Sequence, residues 1–212
     1  MKYQSGTSLI GLMIGLLVSV VGILASLTLY KTLVGVVAEA KADALHDGQL
    51  ATTLLAIQLK VQNAGFGLSN NLDNILVIET AGEKRLYWRY RVNNQVICEG
   101  LRRYTKAING SDRIAIDYLE ATGATCNDAL ALPTMLWAPI STVSVFSQDI
   151  TTTVDFNIAD QSCSPYGMDA PGDYKVLTLT GKGAATLAGA KANNQTLEDT
   201  TLRLCLSNIK GA

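Results

Sequence analysis

Residues 7–30 carry no charged side chain, and a short leader, Met1-Lys2-Tyr3-Gln4-Ser5-Gly6, stands directly before them. A run of about 24 apolar or neutral residues, rising ~1.5 Å each, is long enough to cross a bilayer as one helix. Such a segment commits the chain to a membrane-compatible helix and leaves the rest to fold in water. Lys2 and the small Gly6 both precede the apolar run, so a cut after Gly6 removes the leader and keeps the helix. An ordinary secretory signal has a shorter apolar core and is cut behind it. Ala38-Glu39-Ala40 has the form of such a downstream site, but the apolar run is too long for that reading.

The helical pattern does not stop at the end of the apolar run. No proline occurs in residues 7–64, and Gly65-Phe66-Gly67 supplies a C-terminal stop. A continuous helix over that stretch would be roughly 85 Å long. Its second half, residues 31–66, is amphipathic: Leu50, Leu54, Ile57 and Val61 recur at helical spacing on the face expected to pack on a globular domain. Thr52, Thr53, Gln58 and Lys60 are expected to lie away from it. Gly35 and Gly48 are where a break would fall, each costing about 1 kcal/mol relative to alanine; continuity is the expectation.

After Gly67 the period changes to two. Leu86, Trp88, Tyr90 and Val92 alternate with Arg85, Tyr87, Arg89 and Arg91, which predicts a strand with one core face and one solvated face. Asn93-Asn94 then predicts a two-residue hairpin into Gln95-Val96-Ile97-Cys98. Further strands are expected over residues 113–118, 142–146, 152–158, 174–180 and 201–206. Residues 181–199, rich in Gly, Ala, Asn and Thr, read as a mobile loop. One N-terminal helix followed by a run of strands predicts an α+β fold, with a long helix packed on an antiparallel β-sheet domain. The divisions are a leader over residues 1–6, a membrane-spanning half over 7–30, an amphipathic half over 31–66 and a strand-rich domain over 67–212.

Cys98, Cys126, Cys163 and Cys205 all follow the membrane segment, and an even, widely spaced set suits two disulfides in an oxidising compartment. Three pairings are open; local closure alone favours Cys98–Cys126 with Cys163–Cys205. The positive-inside rule puts Lys2 in the cytoplasm and the domain outside it. Lys31 and Lys41 follow the span, but Glu39, Asp43 and Asp47 accompany them. A net charge of −1 gives no global preference for polyanions.

Residues that could carry chemistry are few. The one histidine, His46, has no nucleophile motif nearby and reads as a solvated helix residue. Gly181-Lys182-Gly183 lacks the spacing of a phosphate loop. No cysteine pair has C-x-x-C spacing, and Asp155, Asp160, Asp169 and Asp173 are scattered without an EF-hand pattern. No enzymatic activity, metal or cofactor is expected. Lys84, Arg85, Arg89, Arg91, Arg102, Arg103, Lys106 and Arg113 concentrate basic charge beside Tyr87 and Tyr104, a pattern that suits either DNA contact or docking of a protein partner. Arg85, Tyr87, Arg89 and Arg91 are the candidate contacts.

The stretch Gly6-Thr7-Ser8-Leu9-Ile10-Gly11-Leu12-Met13 resembles the class III signal of type IV pilins and type II secretion pseudopilins, matching it at Gly6, Leu9, Ile10 and Leu12. Thr7 stands where Phe is usual, and Gly11 where Glu is nearly always found. Gln58-Leu59-Lys60-Val61-Gln62-Asn63-Ala64-Gly65-Phe66-Gly67 resembles the end of the long helix in the PilW family of minor pilins. The resemblance covers about the first third of the chain. It implies cleavage between Gly6 and Thr7 by a prepilin peptidase and N-methylation of Thr7. It also implies storage in the inner membrane with the domain in the periplasm, followed by assembly with other minor and major pilins into a pilus. Gly11 would suit a subunit at the tip, where no carboxylate is needed to meet the amine of a subunit ahead; alternatively, with Gly15 and Gly22, it permits close helix packing. A minor pseudopilin of a type II secretion system shares every one of these features. A signal-anchored periplasmic binding or adhesin domain that never polymerises is a reading of a different class.

Overall fold

The computed structural model describes residues 9–69, 74–146, 154–165, 172–184 and 199–211. The chain divides into two units, Met1–Ala44 and Leu45–Ala212, and the helix α1 (Leu9–Val61) runs unbroken from the first into the second. In the first unit Ser19, Ser26, Thr28 and Thr32 donate their hydroxyls to the carbonyls of Gly15, Gly22, Ala25 and Thr28, at 2.8 to 2.9 Å. These hydroxyls are therefore satisfied by the helix's own backbone, as an apolar medium demands. In the second unit Leu50, Leu54, Ile57 and Val61 are all buried, as their spacing predicts. Thr53 departs from expectation: it is buried too, because its hydroxyl donates to the Gln49 carbonyl at 2.7 Å and so enters the core with its polar group paired.

The turn after α1 is a second anchor. Gly65 and Gly67 take φ of 77° and 68°, conformations that side chains disfavour. The Gly65 amide donates to the Arg89 carbonyl at 2.9 Å, and the Phe66 carbonyl accepts from the Arg91 amide at 2.7 Å. The helix end is thus hydrogen-bonded to a strand, not just stopped.

Among the described residues eight strands follow, in two antiparallel sheets. The first holds β1 (Ile75–Thr80), β2 (Glu83–Val92), β3 (Gln95–Ile108), β4 (Ser111–Ala121) and β5 (Trp137–Val145), in sequence order. The second holds β6 (Val154–Cys163), β7 (Gly172–Gly181) and β8 (Thr200–Lys210). The three hairpins of the first sheet each turn on two residues with positive φ: Ala81-Gly82, Asn93-Asn94 and Asn109-Gly110. That geometry matches the twist of the flanking strands. The main core lies among α1, the inner face of the first sheet and the second sheet, and includes Leu86, Trp88, Leu101, Ile116, Phe146, Phe156, Leu177 and Ile209. Val92, expected on that face, is 40% exposed at the hairpin.

The outer face of the first sheet is not solvated as the alternation predicts. Tyr87, Cys98, Leu119, Ala121, Leu132 and Met135 form a second buried cluster there, covered by the segment between β4 and β5. Gly181 closes β7, and Lys182 and Ala184 are hydrogen-bonded to α1, so the first residues of the loop expected over 181–199 are held by the domain. Residues 185–198 lie outside the described residues.

Candidate functional site

The exposed half of α1 is the first feature with functional weight. Leu9, Leu16, Leu24 and Leu33 are 56–75% exposed, and the apolar stretch has no buried face. By length and composition this helix can cross a membrane once, as in a single-pass membrane protein. A Cβ placed on Gly11, Gly15 or Gly22 would meet nothing within 4 Å, so no contact among the described residues requires glycine at those places. Gly6 and Thr7 lie outside the described residues.

The basic cluster is reorganised by the fold. Tyr87 and Arg89 are 2% and 3% exposed and cannot reach a polyanion. Arg89 donates Nε to Asn74 Oδ1 at 2.9 Å, and its other guanidinium donors to the Asn127 and Leu130 carbonyls at 3.0 and 2.7 Å. It fastens the covering segment to the sheet. Arg91 pairs with Asp128 on the same segment, Arg85 with Glu83 and Arg102 with Asp117. Lys84 and Arg103 point inward, where Asp155 of β6 and Glu79 of β1 meet them at 2.9 to 3.9 Å and tie the two sheets together. Each of these six basic side chains already has a carboxylate or carbonyl partner among the described residues. A phosphate backbone would have to displace a carboxylate or a carbonyl at each.

Two disulfides, Cys98–Cys126 and Cys163–Cys205, close local loops. The first joins β3 to the covering segment, where Tyr87 stacks on Trp137 with ring centroids 4.3 Å apart. The second joins β6 to β8 across the second sheet.

Sequence reading missed a polar cluster under the C-terminal turn of α1. Glu99 is 8% exposed and lies opposite Glu120 in the β3–β4 register. Its Oε1 accepts from the Tyr90 hydroxyl at 3.2 Å and lies 3.9 Å from Lys60 Nζ, while Oε2 has no hydrogen-bond partner. Lys60 in turn sits 3.4 Å from the Tyr118 hydroxyl and 4.6 Å from its ring centroid. Burial, and then the Glu99 carboxylate, push the Tyr90 hydroxyl up to about 12 and raise that of Tyr118 further. Both phenols therefore stay protonated; Tyr90 donates to Glu99, while the Tyr118 oxygen accepts from Lys60. The residues come from α1, β2, β3 and β4, too far apart in sequence for any local motif to signal them.

His46 also corrects its sequence reading. It is fully buried, with Nε2 2.9 Å from the Lys182 carbonyl and its ring 5.9 Å from that of Phe146. Next to it, Asp47 accepts from the Ala184 amide at 2.7 Å, so these two residues clamp the end of β7 to the helix. Of the scattered aspartates, Asp155 pairs with Lys84 and Asp160 with Lys175, while Asp169 lies outside the described residues. Among the described residues no group of three or more His, Cys, Asp or Glu is gathered as a metal site. No family model, curated protein or solved structure matches the chain.

Proposed function

We propose that this chain is a non-enzymatic minor pilin that primes assembly of a type IV pilus or caps it. The observation that carries the reading is the division of α1. One unbroken helix has an N-terminal half that is apolar and exposed on every side, and a C-terminal half that buries one stripe in a disulfide-closed sheet domain. A helix that is apolar all round needs either lipid or the helices of neighbouring subunits. A pilin-type subunit uses both in turn, held in the inner membrane first and then packed in a filament core.

Gly11 favours a place at the tip. A buried amine without a partner costs several kcal/mol, so a subunit lacking the usual carboxylate joins poorly behind another, while the foremost subunit has no amine ahead of it. Among the described residues no contact accounts for glycine there, and close packing on other helices, shared with Gly15 and Gly22, is the competing reason for it.

The mature N-terminus, read by mass spectrometry, tests the reading: the chain should begin at Thr7 and carry a methyl group. Gly6→Leu should leave the precursor uncut. A Gly6→Leu chain that still matures to Thr7, or an uncleaved form accumulating in normal cells, would refute the pilin reading and leave a signal-anchored periplasmic domain. Immunogold label should gather at filament ends; uniform label along the shaft would end the tip assignment.

A further inference from the structure

Between the C-terminal part of α1 and the edge strand β5 lies an open cleft of about 290 Å³, floored by Leu101 and Tyr118. We propose that it docks a short segment of another protein in which an aliphatic side chain is followed by a carboxylate. This does not depend on the filament reading. A volume at the lower limit of small-molecule pockets, about 300 Å³, suits one or two side chains better than a cofactor.

The wall on the β5 side is shaped for the purpose. In the β4–β5 register, Ile116 and Asp117 pair with Ser144 and Thr142, and Tyr118 and Leu119 pair with Ser141 and Pro139. Val143 and Ile140 are therefore each an extra residue at a bulge, and these two line the cleft. Bulges re-aim side chains and recur beside binding sites. Ile140 is 58% exposed at the mouth, an aliphatic group held out with nothing over it. The strand itself has no charged residue, whereas the other three sheet edges, β1, β6 and β8, carry Glu79, Asp155 and Arg203 among others. The β5 edge is guarded instead by Pro139 and the two bulges, which also hinder strand addition. Strand addition along the whole edge is blocked at one end, because Gln49 Nε2 already donates to the Val145 carbonyl at 2.7 Å. Side-chain anchoring is the mode left open.

Charge selects the occupant. Lys60, on the α1 wall, has a side chain 54% exposed and is held in place by the Tyr118 ring and hydroxyl, with the buried Glu99 behind it. Its remaining ammonium donors face solvent at one end of an apolar cleft, with the Ser141 hydroxyl on the opposite wall. A carboxylate next to an aliphatic residue meets that ammonium while its neighbour fills the cleft. Glu120, exposed on β4 and close enough to act on Tyr118, opposes a carboxylate on its own side, so the anion must sit at the Lys60 end of the cleft.

The test uses the full chain with both disulfides intact in dodecyl maltoside micelles, read by methyl NMR at Ala56, Ile57 and Val143. The probes are the peptide acetyl-Gly-Ser-Ile-Val-Asp-Ser-amide, the same peptide with Lys for Asp, and decanoate. The Asp peptide should shift those methyls saturably and bind about threefold or more tighter than the Lys peptide, the scale of one half-exposed ion pair. Lys60→Gln should erase the difference between the peptides but keep the shifts, and Ala56→Leu should fill the cleft and abolish them. Absence of saturable shifts with the Asp peptide would overturn the proposal. So would equal binding of the two peptides, a preference that survives Lys60→Gln, or decanoate binding as tightly as the peptide.

Discussion

Gly65 offers a sharp test of how the helix end is locked to the domain. Its φ is 77°, and a Cβ added there would lie 2.5 Å from Ile209 Cγ1 and 2.8 Å from the Asn208 carbonyl oxygen on β8. Gly82 has a similar φ of 86°, but a Cβ there would meet nothing within 4 Å. Alanine at either place pays the left-handed backbone cost, about 1–2 kcal/mol, partly offset by about 0.4–1 kcal/mol from a stiffer unfolded chain. The expected loss at Gly82→Ala is therefore about 1 kcal/mol. Gly65→Ala adds a clash in which one neighbour is backbone and cannot rotate away, worth about 1–3 kcal/mol.

Urea unfolding of the full chain in micelles, with disulfides intact, separates the two effects. With a slope of about 2 kcal/mol per molar, the midpoint of Gly65→Ala should fall below that of Gly82→Ala by on the order of 1 M. Equal midpoints would mean that the turn after α1 does not touch β8, and the docking of the helix end would have to be redrawn.

Three further outcomes are expected. Arg89→Met should cost about 1–3 kcal/mol for each buried acceptor left unpaired, and hydrogen exchange at residues 127–131 should rise well beyond that of β3; unchanged exchange would show that Arg89 does not hold the segment. Replacing Cys98 and Cys126 by alanine should cost more, in urea, than replacing Cys163 and Cys205. The spans of 28 and 42 residues are worth a similar 3 to 4 kcal/mol or so in chain entropy, but Cys98 is 1% exposed and leaves a hole in the outer cluster as well; equal losses would contradict this. Burial alone would raise the Asp117 carboxyl, yet hydrogen bonds from Arg102, Thr142 and Tyr104 bring it below its ordinary value. A depressed carboxyl contributes stability that is present above its unfolded value, about 3.9, and lost as pH falls through the folded value. Asp117→Asn should therefore lower stability at neutral pH and flatten its decline below pH ~4, and an unaltered acid limb in thermal melts would count against the pairing.

What the sequence made legible follows from periodicity, and what it hid follows from contacts without period. The stripe Leu50, Leu54, Ile57 and Val61 and the inner row Leu86, Trp88 and Tyr90 both lie where their spacing puts them. Arg89 alternates like a solvated residue and is buried all the same, since the segment covering it has no repeat and reaches it through Cys126 and two carbonyls. His46 reads as exposed because its partner is the Lys182 carbonyl, 136 positions away. Asn109-Gly110 is a strong local hairpin signal, and with it β3 extends to Ile108, which places Arg102 and Arg103 on opposite faces of one strand. That single register step divides the basic cluster, sending Arg102 to Asp117 and Arg103 to the seam between the sheets. A run of charge in sequence is thus no guide to a charged surface when the strand carrying it is covered on both sides.

The same logic separates the two roles of α1. Its C-terminal half is held by the domain on three counts: an apolar stripe, the His46 and Asp47 clamp, and the hydrogen-bonded Gly-Phe-Gly turn. Its N-terminal half has none of these, and its serines and threonines are closed on their own backbone. An apolar surface with no buried face is a large standing cost in water, which lipid or other helices relieve. The free energy that this half can gain therefore lies outside the chain, while the domain's stability is fixed inside residues 45–212. On the proposed reading, a subunit held first in lipid and then packed among other helices would exchange one apolar surrounding for another at this half, while the contacts that hold the domain stay within its own unit.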